Sequence, residues 1–241
     1  MRYKIEVDTH THTILSGHAF STLRENVTMA EKRGLSGICL TDHGPSTPGS
    51  MPAVMWMAGT ALPDHMGGIR VFRGIEASIM DTKGALDLCE DMLRPMEWII
   101  ASIHTMSQRF DDPAEATKAY LAALENPMVD VLGHIYQPAV KCDYEAVIKK
   151  AIHENKLIEF NNSYISPKRE KCRENFIECA KLAKKYSARV VISTDSHVDE
   201  MIGDITYVNE VFEQLDFPEK LIVNRSMETF ETYMLERKKR I

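Results

Sequence analysis

Residues 4–18 read KIEVDTHTHTILSGH. The first five alternate charged and aliphatic side chains and end on Asp8, the pattern of a short β-strand. Directly beyond that run come His10, His12 and His18. Imidazoles gathered at the mouth of a strand, rather than spread along its face, put the chemistry at strand ends. The same grammar recurs along the chain.

Strand-like runs over 37–41, 71–76, 98–102, 129–133, 157–161 and 189–193 follow 4–8 at intervals of roughly thirty residues, the length of a strand-plus-helix unit. Between most of them lie amphipathic stretches with helix signals: 26–33 closed by Gly34, 113–125 opened by Asp112, 144–154 opened by Asp143, and 173–186. The alternation predicts an α/β fold of parallel strands joined by helical crossovers. Two segments break the rhythm. Residues 44–68, rich in Pro, Gly and Met, read as a long loop with one short helix near 53–58, of the kind that forms lids or binding loops. In residues 79–95, Asp81-Thr82-Lys83-Gly84 reads as a turn between two short strands. Neither marks a boundary, so a single domain over 1–241 is expected.

Bulk properties narrow the function. A chain of 241 residues, 44% hydrophobic, sustains one large core. Its net charge of −6 argues against bulk binding to a nucleic-acid backbone. The five cysteines are odd in number and contain no C-x-x-C pair, which argues against a disulfide framework or thiolate zinc site and fits a reducing cytoplasm. No leader-like segment opens the chain, and no run of about eighteen apolar residues occurs, so no membrane association is expected.

His10 and His12 follow the first predicted strand, His43 the second, His104 the fourth and His134 the fifth, while Asp195 and His197 follow the seventh and Glu76 ends the third. Parallel strands closed into a barrel present these ends on one rim, where barrel enzymes build their active sites. Side chains at i and i+2 point the same way, so His10 with His12, and Asp195 with His197, line one site from one side. With His18 counted alongside His10 and His12, only His65, in the long loop, and His153, in a predicted helix, of the nine histidines fall outside this set. Both read as solvated side chains, His65 approaching the site only if its loop folds over. Neutral imidazole and carboxylate are ligands for zinc, iron or manganese. One ion takes about four to six ligands, so the converging set, His18 included, points to more than one ion. Asp42, beside His43, points the other way in an extended chain and reads as a hydrogen-bonding partner of a ligand imidazole. Asn161, Asn162 and Ser163 read equally as turn residues or substrate contacts, and the methionine-rich loop as packing.

Asp8-Thr9-His10-Thr11-His12, Thr41-Asp42-His43, Gly74-Ile75-Glu76, Ala101-Ser102-Ile103-His104, Gly133-His134 and Thr194-Asp195-Ser196-His197, in this order and spacing, resemble the polymerase and histidinol phosphatase (PHP) domain family, in particular its stand-alone bacterial phosphatases. The resemblance implies a distorted, TIM-barrel-like barrel of seven β/α units with a trinuclear metal centre at the C-terminal rim. It implies zinc, with manganese or iron as alternatives. Carried over, His10, His12, Glu76 and Asp195 hold one ion; Glu76, His104 and His134 a second; His18, His43 and His197 the third. Glu76, Asp195, His10, His12 and His134 take the direct catalytic part. It also implies a homotrimer. The expected reaction is hydrolysis of the phosphate monoester of a small phosphorylated substrate by a metal-activated water. Arg24, Arg73, Lys141 and Lys168 are basic candidates for the phosphate, although for each ordinary surface charge is the simpler reading. Within the same family the rival is a phosphodiesterase or 3′ exonuclease; from a different class comes a metal-binding module without turnover, against which the absence of cysteine among the candidates weighs.

Overall fold

The computed structural model describes residues 2–58, 61–166 and 169–241. Seven strands, β1 (Val7–Thr11), β2 (Gly37–Leu40), β4 (Ile69–Ser78), β5 (Trp98–Ser102), β6 (Val131–Leu132), β7 (Leu157–Asn161) and β8 (Val190–Ser193), pair in parallel in that order and curl into a nearly closed barrel. The short strand β3 (His65–Met66) pairs antiparallel with the start of β4. Helices α1 (Leu23–Lys32), α4 (Pro113–Ala123), α5 (Tyr144–His153) and α6 (Glu170–Tyr186) form crossovers at the expected places. The first begins three residues before its predicted start because Thr22 and Glu25 close a capping box. The predicted turn at Asp81–Gly84 forms, with the Asp81 carboxylate accepting from the amides of Lys83 and Ala85, but only the single bridge Ile79–Leu86 flanks it in place of two strands.

Inside the barrel, Val7, Cys39, Phe72, Trp98, Ile100, Val131, Leu157 and Val191 fill the amino-terminal half. They alternate with outward residues that pack under the helices, as a sheet buried on both faces requires. Helix α8 (Met227–Arg237) closes the floor: Phe230 and Tyr233 pack on Trp98 with ring centroids 5.1 and 6.0 Å away. Beneath them the buried Asp130 carboxylate takes Arg237 Nε at 2.8 Å and Arg240 at 2.9 Å. With the floor plugged, the other mouth is the open one.

The seam between β8 and β1 is paired only near that mouth, where Thr11 bridges Ser196 and His12 N–H donates to the Ser196 carbonyl at 2.9 Å. Lower down, the buried side chain of Asn224 substitutes for the ladder. Its amide donates to the Val7 and Ile192 carbonyls at 2.7 and 2.6 Å and its oxygen accepts from Ile192 N–H at 3.1 Å.

The first strand differs from its expected span. It runs over Val7–Thr11, so His10 lies within it rather than beyond it, because Glu6 N–H is taken by the Asn224 carbonyl and not by a strand neighbour. Between Asp8 and Thr11, β1 advances three residues while β2 advances two, from Ile38 to Leu40. This one-residue bulge reverses the strand's parity. Val7 points into the barrel, and an unbroken strand would turn Thr9 and Thr11 inward; past the bulge His10 and His12 face the interior instead.

The described residues of 44–68 do not form a lid. They run down the outside from the rim, where Gly44 N–H meets the Glu76 carbonyl, to the base, where β3 joins β4, and replace a helical crossover. The short helix α2 (Val54–Ala58) forms as predicted. His65 pairs with Arg70 at the amino-terminal end of β4, which excludes its approach to the rim. Among the described residues, no helix is long and apolar enough to cross a membrane.

Candidate metal centre

All nine side chains singled out from the sequence converge at the open mouth. Glu76, on β4, stands at the middle, and its two oxygens face different groups. Oε2 lies 3.3 Å from His10 Nε2, 3.6 Å from His12 Nε2 and 2.7 Å from His43 Nδ1; Oε1 lies 2.8 Å from His134 Nε2 and 3.0 Å from His104 Nε2. Asp195 Oδ1 approaches His12 Nε2 to 3.0 Å and His10 Nε2 to 3.6 Å. Nitrogen and oxygen ligands about 2.1 Å from a tetrahedral ion stand roughly 3.4 Å apart, so the spacing of His10, His12, Glu76 and Asp195 matches one coordination shell. Three buried atoms, Glu76 Oε2, Asp195 Oδ1 and His43 Nδ1, make no well-aligned hydrogen bond, although each stands within 3.0 Å of a facing group. Such atoms are costly to bury unless a cation completes them. The donor set therefore fits divalent ions.

The remaining histidines extend the cluster. His18 Nε2 and His197 Nε2 are 2.9 Å apart, and the rings of His18 and His43 stack with centroids 5.0 Å apart. His43 is shared ground: a ring nitrogen lies within 4.8 Å of ring nitrogens of His12 and His197, and a ring nitrogen also lies within 4.8 Å of a Glu76 oxygen and a His104 nitrogen. Two of the residues carry backbone strain, His134 at φ 27° and Asp195 at φ 52°.

Around the cluster, further groups hold several of the imidazoles so that one nitrogen faces inward. His104 Nδ1 meets Ser78 Oγ at 2.9 Å, His18 Nδ1 donates to the Ser16 carbonyl at 3.1 Å and His197 Nδ1 to the Asp195 carbonyl at 3.0 Å. Asp42 does serve an imidazole, through an intermediary: it accepts from Ser16 Oγ at 2.6 Å, and Ser16 Oγ meets His12 Nδ1 at 2.9 Å. Ser102 Oγ donates to Glu76 Oε1 at 2.7 Å in space that only glycine leaves, since a Cβ on Gly133 would lie 2.2 Å from that oxygen.

Glu159, on β7, has no counterpart in the sequence reading. Its Oε1 accepts from His10 Nδ1 at 2.5 Å and from Ser193 Oγ at 2.7 Å, and its Oε2 accepts from His134 N–H at 2.8 Å. A signal was present: a carboxylate in the middle of Leu-Ile-Glu-Phe-Asn, a run buried throughout, is costly to bury unless paired. Two residues on, Asn161 Nδ2 donates to Asp195 Oδ2 at 3.0 Å, which makes Asn161 a supporting group. Asn162 caps the start of α7 (Thr206–Gln214) by accepting from Tyr207 and Val208 N–H, while Ser163 donates to the Thr194 carbonyl at 2.6 Å.

Electrostatically the cluster sorts itself into two anions, three imidazoles pushed toward the neutral form and two pushed toward the charged form. Burial opposes charge on Glu76 and Asp195, but the facing imidazoles outweigh it, His104, His10 and His43 for the first and His10, His12 and His197 for the second, and hold both carboxyls well below the usual range. Burial and neighbouring imidazoles push His12 and His18 down, and burial does the same to His43 against the pull of Glu76. Burial also opposes charge on His10 and His134, but Glu159 and Glu76 outweigh it and raise both.

A cavity of about 650 Å³ opens over the cluster, walled by Tyr164, Tyr207, Met106, Met201, Asp204 and Arg169. No described residue of 44–68 lines it. The basic side chains considered from the sequence are placed elsewhere. Arg24 is exposed on α1, Arg73 pairs with Asp64 and Glu97, Lys141 lines a separate surface groove, and Lys168 lies outside the described residues. Arg169, one residue further on, is the one lysine or arginine among the described residues of the cavity wall, and its guanidinium stands over the Tyr164 ring, which itself stacks on His134 at 4.6 Å.

The PHP domain family model matches residues 8–170, from Asp8 in β1 to the start of α6. The chain belongs to the PHP domain family. Among PHP relatives, a probable phosphatase of Caldicellulosiruptor saccharolyticus is 42% identical over 94% of both chains. A probable phosphatase of Thermoanaerobacter pseudethanolicus is 38% identical over 99% of this chain and 98% of its own. The fold is similar to that of histidinol phosphate phosphatase from Lactococcus lactis, solved with zinc, L-histidinol and phosphate (TM-score 0.56, 18% identity, 88% of this chain and 94% of that one). It is also similar to a chain of an archaeal ribonuclease P solved with mature tRNA (TM-score 0.62, 16% identity, 96% and 91% covered).

Proposed function

We propose that this PHP protein is a metal-dependent phosphatase that hydrolyses phosphate monoesters of small molecules at a three-ion centre. The observation that carries the reading is the split engagement of Glu76, whose two oxygens face two different histidine groups with Oε2 left without a well-aligned hydrogen bond. The names of the relatives agree with it. His10, His12, Glu76 and Asp195 would hold one ion, Glu76, His104 and His134 a second, and His18, His43 and His197 a third. The imidazole-rich set favours zinc, with manganese or iron as the alternatives. Divalent ions bound there supply Lewis-acid polarisation of phosphoryl oxygens and activation of water near neutral pH.

The chain's own groups do the rest. Glu159 and Asn161 keep His10 and Asp195 aimed at the centre, and the strained Asp195 is tied back by Thr194, which donates to Asp8 at 2.6 Å. Arg169 is placed to meet the anionic phosphate from the outer wall. The net charge of −6 favours a small phosphorylated compound over a nucleic-acid chain.

The test is a phosphometabolite screen on protein reconstituted separately with zinc, manganese and iron, alongside p-nitrophenyl phosphate, its bis-ester and a short oligonucleotide. Monoester turnover that disappears together with bound metal in Glu76→Ala supports the reading. Preference for either diester overturns the monoesterase assignment, and stoichiometric metal without turnover on any ester overturns the enzyme.

A further inference from the structure

Ser16 is a buried residue at the end of the 3-10 turn Ile14–Ser16, and it touches three of the histidines. Its hydroxyl donates to Asp42 Oδ1 at 2.6 Å, which leaves the oxygen lone pairs for two incoming donors: His12 Nδ1–H at 2.9 Å and the backbone N–H of His43 at 3.2 Å. Its carbonyl accepts from His18 Nδ1 at 3.1 Å. The turn is held from both sides. Asp42 also accepts from Thr13 N–H and Oγ1 at 2.7 and 2.8 Å, and Gly17, at φ 80°, packs where a Cβ would lie 2.1 Å from the Gly49 carbonyl oxygen.

We infer that Ser16, clamped by Asp42, is a positioning residue that couples two ion positions, the one served by His12 and the one served by His18 and His43. The inference rests on the three-position reading of the centre. A hydrogen-bond acceptor on Nδ1 fixes the imidazole tautomer that leaves Nε2 free to bind metal, and loss of such a partner costs about 10–100-fold in metal affinity. Most such partners serve one ligand. Ser78, for example, reaches only His104 among the histidines. Ser16 serves three across two positions, its hydroxyl holding the His12 ring and the His43 backbone and its carbonyl the His18 ring, so an ion that orders the turn at one position orders the ligands of the other.

The experiment compares Ser16→Ala with Ser78→Ala and wild type. Zinc affinity is measured by competition with a chromophoric chelator, and occupancy at each position by anomalous scattering from zinc-loaded crystals. Ser16→Ala is expected to lower affinity about 10–100-fold at both the His10/His12 and the His18/His43/His197 positions while sparing the His104/His134 position. Ser78→Ala is expected to show the converse, and Ser16→Thr, which retains the hydroxyl, to recover most of the loss. Thermal denaturation of each metal-free variant reports folding independently. Loss at one position alone overturns the coupling, as does an equal loss at all three or unchanged occupancy. If wild type itself binds fewer than three ions, the three-ion reading fails while coupling between the two named positions is still read from their occupancies. Absence of zinc from either of those two positions in wild type overturns both.

Discussion

Glu159→Gln changes one atom and separates orientation from packing. The carboxylate accepts three hydrogen bonds, from His10 Nδ1 and Ser193 Oγ on one oxygen and from His134 N–H on the other. Glutamine keeps the volume but has one accepting oxygen. If that oxygen faces His10, the amide NH₂ confronts the His134 N–H, donor against donor, and the unsatisfied pair costs about 1–3 kcal/mol. If the NH₂ faces His10 instead, Nδ1 must accept, the proton moves to Nε2, and the nitrogen aimed at Glu76 and Asp195 can no longer bind an ion. The first arrangement lowers Tm by roughly 2–4 °C for each kcal/mol in a chain of this size. The second lowers zinc affinity at the His10 position about 10–100-fold, or about 1.4–2.8 kcal/mol. Chelator competition measures the second effect and thermal melting of metal-free protein the first, with two-bond ¹H–¹⁵N spectra of the imidazoles reporting the His10 tautomer. Unchanged zinc affinity and an unchanged tautomer together with an unchanged melting temperature would refute the reasoning.

Burial, reinforced by Arg240, lowers the pKa of Lys156 to about 7. The unfolded chain then holds a proton that the folded chain releases between about pH 7 and 10, so stability should rise with pH across that range and carry its full penalty below it; Lys156→Met should flatten the rise in Tm between pH 7 and 9 and stabilise the protein at pH 6. Asn224→Leu leaves the Val7 and Ile192 carbonyls and the Ile192 N–H unpaired at the barrel seam, and a loss of about 3–5 kcal/mol is expected in denaturant unfolding. Arg169→Met should raise KM for monoesters about tenfold with unchanged metal content; a fall in kcat at constant KM would place the guanidinium elsewhere.

The barrel was legible because parallel strands buried on both faces are written as apolar runs, and because the residues that end them are of one chemical kind. Convergence of His10, His43, Glu76, His104, His134 and Asp195 follows from that topology alone. Glu159, Ser16 and Arg169 were not legible for different reasons. Glu159 is buried between two histidines that only the closed barrel brings to it. The role of Ser16 depends on the path of a turn, which spacing does not reveal. Arg169 stands beside Lys168, the basic candidate in that stretch of sequence, and no periodicity there says which side chain reaches the cavity wall. The bulge in β1 was hidden too, since His10 and His12 share a direction whichever face they point to.

That bulge acts as a phase shift in the code that maps sequence onto space. Everything amino-terminal to it addresses the apolar plug, and everything after it addresses the histidine cluster, without any change in residue type being needed to mark the switch. The same sequence paired without the bulge would keep every histidine in the chain and leave the strand still able to pair, yet would send His10 and His12 toward the helices. Loss of the centre in such a barrel therefore needs only a shift of register, with no ligand replaced.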